Sequence, residues 1–134
     1  MRKDIDFSPV TGVDLVIAKT EEAEDIRWDV FLINRNLIEL KRVMITAKGY
    51  SEASKGEQKK TSTLRHSIAQ VEEQSFALIE PIDDSVFKLN NEYWVSYYIL
   101  DQVFDKKFVF VPDSITDANL QYIPELDKMG IRHA

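Results

Sequence analysis

The stretch from Val86 to Pro112, VFKLNNEYWVSYYILDQVFDKKFVFVP, restricts the fold more than any other part of this chain. It carries Tyr93, Trp94, Tyr97, Tyr98, Phe104, Phe108 and Phe110, with Val95, Val103 and Val109 between them, in two runs split by Asp101-Gln102. Aromatic and β-branched side chains fit a pleated, half-buried surface better than a helix. Two such runs around a two-residue polar break predict a β-hairpin.

The same signal recurs along the chain. Val13 to Ala18 is an apolar run between Gly12 and the acidic cluster Glu21–Asp25, and it predicts a first strand. Arg27 to Asn34, RWDVFLIN, predicts a second, with Trp28, Val30 and Leu32 on one face and Phe31 and Ile33 on the other. Apolar residues on both faces imply a strand covered from both sides. Asn34-Arg35-Asn36 has turn chemistry, because Asn tolerates positive φ and bonds to its own backbone. A second hairpin is therefore expected from 27–34 to the resumed run at 37–47.

Lys48 to Lys60, KGYSEASKGEQKK, reads as a loop. Between Thr61 and Ser75 the signals compete. Leu64, Ile68 and Val71 lie at helical spacing, but Thr61-Ser62-Thr63 favours extended backbone and the stripe is three residues deep. An extended segment is the preferred reading. Phe76 to Ile82 is a further strand, followed by Asp83-Asp84. Residues 116–127 allow one short helical turn broken by Pro124, and 128–134 reads as a loosely ordered tail.

Seven to nine short strands at spacings of about ten residues predict an all-β, immunoglobulin-like antiparallel sandwich. At 134 residues it is expected to form a single domain over 1–134. The alternative is an α+β fold with one helix near 62–74. A parallel α/β fold is disfavoured because no crossover helices separate the strands.

Charge and residue usage narrow the chemistry. There is no cysteine, so disulfides, thiolate metal sites and cysteine nucleophiles are excluded. The charged N-terminus, MRKDIDFSPVTGVD, has no apolar run of signal-peptide length, and no segment has the apolar length of a membrane span. A cytoplasmic protein without membrane contact is the expectation. The net charge of −6 is uneven: residues 1–40 carry −4, residues 41–66 carry +5 and residues 67–134 carry −7. An acidic chain with one basic segment makes a general nucleic-acid coat unlike it, since phosphate would be repelled by most of its surface.

Candidate sites are few. His66 stands beside Arg65, whose charge opposes protonation, and His133 sits one residue from the end. No G-x-S-x-G or G-x-G-x-x-G occurs, and Gly56-Glu57-Gln58-Lys59-Lys60-Thr61 lacks the glycine that a phosphate loop places before its lysine. The pairs Glu21-Glu22, Glu72-Glu73 and Asp83-Asp84 alternate faces if extended, so neighbouring acids do not converge. No catalytic, cofactor-binding or metal-ligating residue is assigned, and no cofactor is expected. The basic segment 41–66 is the strongest hint of contact with a partner or an anion, centred on Lys55, Lys59, Lys60 and Arg65. The aromatic run is expected in the core, and only exposure of both Trp94 and Tyr97 would argue for binding.

The segments KTSTLRH (60–66), FKLNNEYWVSYY (87–98) and DKKFVFVPDSI (105–115) resemble a family of short uncharacterised bacterial proteins, some labelled phenylalanyl-tRNA synthetase alpha subunit. The chain is too short for such a catalytic subunit and lacks the arginine-bearing motifs of a class II synthetase. The resemblance implies a shared fold and transfers no residue roles. The expected function is a non-catalytic protein–protein interaction or oligomerising module using a strand edge or the 48–60 loop. The alternatives are a nucleic-acid or anion-binding module using 41–66, or a small enzyme in which His66 meets a carboxylate in a concave pocket.

Overall fold

The computed structural model describes residues 11–51 and 59–134, which form nine strands in two antiparallel sheets packed face to face. The strands are β1 (Val13–Glu22), β2 (Asp25–Asn34), β3 (Leu40–Tyr50), β4 (Leu64–Val71), β5 (Ser75–Ile82), β6 (Asn90–Ile99), β7 (Gln102–Phe110), β8 (Gln121–Ile123) and β9 (Lys128–His133). Single 3-10 turns occupy Asp84–Val86 and Asp117–Asn119. One sheet has the order β5-β2-β1-β9-β8, and the other β4-β3-β6-β7. This is an all-β sandwich, as the sequence predicts.

The helix considered for 62–74 does not form. β4 pairs with β3 from Leu40↔Val71 to Ala47↔Leu64 with no register shift. Backbone partners offered by β3 outweigh a three-residue helical stripe, which is too short to stabilise a helix by burial. The aromatic hairpin is β6–β7, paired from Asn91↔Phe110 to Ile99↔Gln102. Its turn falls at Leu100-Asp101, one residue before the predicted break, with Leu100 at φ +55°. Val86 to Leu89 precedes β6 as a turn, and the Asn91 amide holds it by donating to the carbonyls of Val86 (2.9 Å) and Leu89 (3.2 Å).

Two expectations are corrected. The segment 27–47 is not a hairpin: β2 pairs with β1 and β5, whereas β3 pairs with β4 and β6. Asn34-Arg35-Asn36 carries the chain from one sheet to the other. Asn34 is fully buried there, donating to the carbonyls of Ile38 (2.9 Å) and Glu72 (3.0 Å) and accepting from the Asn36 amide N–H (3.0 Å). Turn chemistry reports a reversal, but not whether the following strand pairs with the preceding one.

The second correction concerns 128–134, expected as a tail. It is β9, paired with β1 from Leu15↔His133 to Lys19↔Met129 and with β8 on its other side. KMGIRH offers only Met129 and Ile131 as apolar side chains, so the signal was backbone pairing, which composition does not display. Gly130 is required at this crossing. A Cβ there would lie 2.8 Å from Val16 Cγ1 and 2.9 Å from the Ile17 carbonyl oxygen.

The main core lies between the sheets and includes Leu15, Ile17, Val30, Leu32, Val43, Ile45, Tyr93, Val95, Tyr97 and Phe108. A second, smaller core covers the outer face of the five-stranded sheet, where Val16, Ala18, Phe31 and Ile33 meet Ile123 and Leu126. The two-faced apolarity of β2 therefore has its predicted cause. Among the described residues, no helix is long and apolar enough to cross a membrane.

Candidate interaction surface

Strand alternation sets the outer face of the four-stranded sheet. Ile45, Ala47, Tyr93 and Val95 belong to the main core, so Met44, Thr46, Lys48, Glu92, Trp94 and Ser96 face away from it. Reading across the strands, Arg65, Thr46, Trp94 and Lys107 form one row. Ser67, Met44, Ser96 and Asp105 form the next. Trp94 is 45% exposed and Met44 48% exposed in the middle of this face.

Its charges are unequal. Glu92 is nearly buried, accepting from Tyr50 Oη at 3.2 Å with Lys48 Nζ 3.6 Å away. Lys48 also stands over the Tyr50 ring at 5.9 Å. Arg65 and Lys107 are exposed on either side of Trp94. An accessible indole thus shares its row with two exposed cations, Lys107 on the next strand and Arg65 beyond Thr46, on a chain whose net charge is −6.

The sequence-predicted contact residues separate. Lys55 lies outside the described residues, as does most of the predicted loop, residues 52–58. Lys59 and Lys60 are exposed at the end of β3, where Lys60 bridges to Tyr50 and the Ser51 N–H donates to the Lys59 carbonyl at 2.8 Å. Arg65 lies further along, on β4, where it pairs with Thr46 and stands in the Trp94 row. The aromatic residues also divide: Tyr97 is 1% exposed and stacks on Phe104 at 5.3 Å, whereas Trp94 is open. Alternation explains this, since residues three apart in a strand point to opposite faces.

Both histidines sit at lateral seams of the sandwich. At one seam, His66 Nε2 on β4 lies 2.6 Å from Glu80 Oε1 on β5, and Tyr93 Oη donates to Glu80 Oε2 at 3.2 Å. Burial, and then the Glu80 carboxylate, push the Tyr93 phenol far above its ordinary range, so it stays a neutral donor. A carboxylate thus lies within reach of His66, as an acid–base pair would require. Glu80 and Tyr93 line an adjoining cleft of about 300 Å³ with Lys48, Thr61, Asp83 and Asn91, but His66 is not in its wall. With both Glu80 oxygens engaged, the cluster ties β4 to β5 across the seam.

At the other seam, His133 is not a tail residue. Its ring meets Phe108 at 5.2 Å and Phe110 at 5.7 Å, both edge-to-face, and Lys106 Nζ donates to the Ala134 carbonyl oxygen at 2.8 Å. Within the acidic pair Asp83-Asp84, the Asp83 carboxylate accepts from the Ser85 N–H at 2.8 Å and caps a 3-10 turn. These backbone and hydroxyl contacts of Ser85 hold the Asp83 carboxyl below its usual range. Among the described residues, no group of three His, Cys, Asp or Glu side chains could hold a metal.

Comparison of the chain with protein-family models, with curated proteins and with solved structures finds no match.

Proposed function

We propose that this protein is a non-catalytic protein-interaction module of immunoglobulin-like topology whose contact surface is the outer face of the four-stranded sheet. The observation that carries this reading is Trp94, 45% exposed beside Met44 and flanked by Arg65 and Lys107. Trp, Met and Arg are enriched at protein interfaces, and Trp and Arg dominate their hot spots. An indole held on a rigid strand also loses little side-chain freedom on binding. The surplus of exposed cations suits an acidic protein surface, with rim charges steering approach.

The strand order supports the immunoglobulin-like assignment. Apart from β4, β8 and β9, strands one, two and five share one sheet, while three, six and seven share the other. That division is the one made by the A, B, E and C, F, G strands of an immunoglobulin sandwich. β4 joins the second sheet, whereas the constant-type immunoglobulin sandwich places its fourth strand in the first. A cytoplasmic setting belongs to the same reading and accords with a chain free of cysteine.

A photo-crosslinking residue placed at position 94, with a control at exposed Glu24, tests the surface in cells. Adducts at position 94 that are removed by protease and resist nuclease are expected. Nuclease-sensitive adducts would instead favour nucleic acid contact through the cations, and equal crosslinking at both positions would remove the assignment.

A further inference from the structure

Among the described residues, four strands end the two sheets: β5 and β8 in one, β4 and β7 in the other. A sheet edge presents unpaired N–H and C=O groups, and folded proteins blunt it by shortness, proline, bulges or charge. β8 is three residues long. β5 carries Pro81, and its register against β2 shifts between Val30 and Phe31, leaving Ile79 as the extra residue. β7 carries Asp105, Lys106 and Lys107 in succession. Among the described residues, β4, LRHSIAQV, has none of these devices: eight residues, no proline, no register shift against β3, and one permanent charge at Arg65.

The ends of this open edge carry opposite charge. Exposed Lys59, Lys60 and Arg65 lie at its start, and exposed Glu72 and Glu73 follow its last residue. A two-fold axis through the middle of the strand would place each basic end beside the partner's acidic end. A parallel mate would instead oppose like charges. Leu64, on the core side of β4 yet 51% exposed, would gain cover along the joined seam.

We infer that β4 pairs antiparallel with β4 of a second copy of this chain, forming an isologous dimer with a continuous eight-stranded sheet. Self-complementarity about one axis is what a two-fold interface demands. Backbone hydrogen bonds supply the attraction, and the charged ends select the antiparallel direction. The edge shares Arg65 and Ser67 with the Trp94 face, but the Glu72→Lys/Glu73→Lys variant leaves that face untouched, so the two assignments stand or fall separately.

The test is light scattering coupled to size exclusion at low ionic strength, over protein concentrations from about 5 to about 300 µM. A dimer is expected for the unaltered chain, and for Trp94→Ala. The double variants Lys60→Glu/Arg65→Glu and Glu72→Lys/Glu73→Lys should each be mainly monomeric, with Kd raised about tenfold or more. Mixing the two should restore a heterodimer, since both junctions then join opposite charges. Amide exchange should slow with concentration in β4 and not in β5 or β7. An unaltered chain that stays monomeric overturns the inference, as does a dimer that both charge variants leave intact or one protected at another edge.

Discussion

The two outer faces of the sandwich are built from similar strands and have opposite fates. On the five-stranded sheet, Val16, Ala18, Phe31 and Ile33 are buried in one cluster with Ile123 and Leu126, supplied by β8 and the turn after it. Asp14, 2% exposed, anchors the rim: it accepts from Arg35 Nε at 3.0 Å and Arg132 Nη1 at 2.6 Å, while Arg132 also reaches Glu125 at 2.5 Å. On the four-stranded sheet nothing among the described residues plays that covering role, and Trp94 and Met44 stay accessible. An apolar residue on an outer face is therefore core where the chain returns over it, and available surface where it does not.

Removing cover should separate the faces most strongly. Ile123→Ala deletes a fully buried side chain and is expected to cost about 2–5 kcal/mol in urea unfolding. A cost below about 0.5 kcal/mol would mean that the two faces do not differ. Gly130→Ala attacks the same layer from the backbone. Its Cβ would press on Val16 Cγ1 and the Ile17 carbonyl oxygen, and a loss of about 1–3 kcal/mol is expected, read as a lowered Tm.

The buried side of the aromatic hairpin has its own signature. Burial raises the Tyr97 phenol to about 12, and among the described residues its hydroxyl has no hydrogen-bond partner. The unfolded chain ionises near pH 10 and releases protons first, so this contribution is fully present below pH 10 and declines as pH rises through about 12. Tyr97→Phe should flatten that alkaline decline and leave stability at neutral pH unchanged or raised by about 1 kcal/mol. Alkaline denaturation curves that superimpose would contradict this. The smallest effect belongs to the open face. Trp94→Ala should change stability by no more than about 0.5 kcal/mol while sharply lowering crosslinking from a photo-crosslinking residue placed at exposed Met44 on the same face. A large loss of stability would make Trp94 a packing residue.

Much of the fold was legible because alternation survives without context. Trp28, Val30 and Leu32 against Phe31 and Ile33 announced a strand covered twice, and the β6–β7 run announced its hairpin to within one residue. The surface was less legible. The lysines of the loop drew attention by composition, whereas Trp94 and Met44 looked like their buried neighbours. One signal was available: Trp94 is out of phase with Tyr93, Val95 and Tyr97, which share the core face. His66, Glu80 and Tyr93 come from three strands, and no local pattern joins them.

The sequence alone determined β1 to β7, their alternation and the absence of thiol chemistry, because these follow from residue type and a two-residue period. Tertiary structure decided which face was covered, that Asn34–Asn36 crosses between sheets, and that KMGIRH is an interior strand beside β1. Those outcomes depend on which distant segment supplies backbone partners and apolar cover, a property of pairs of segments that neither carries by itself.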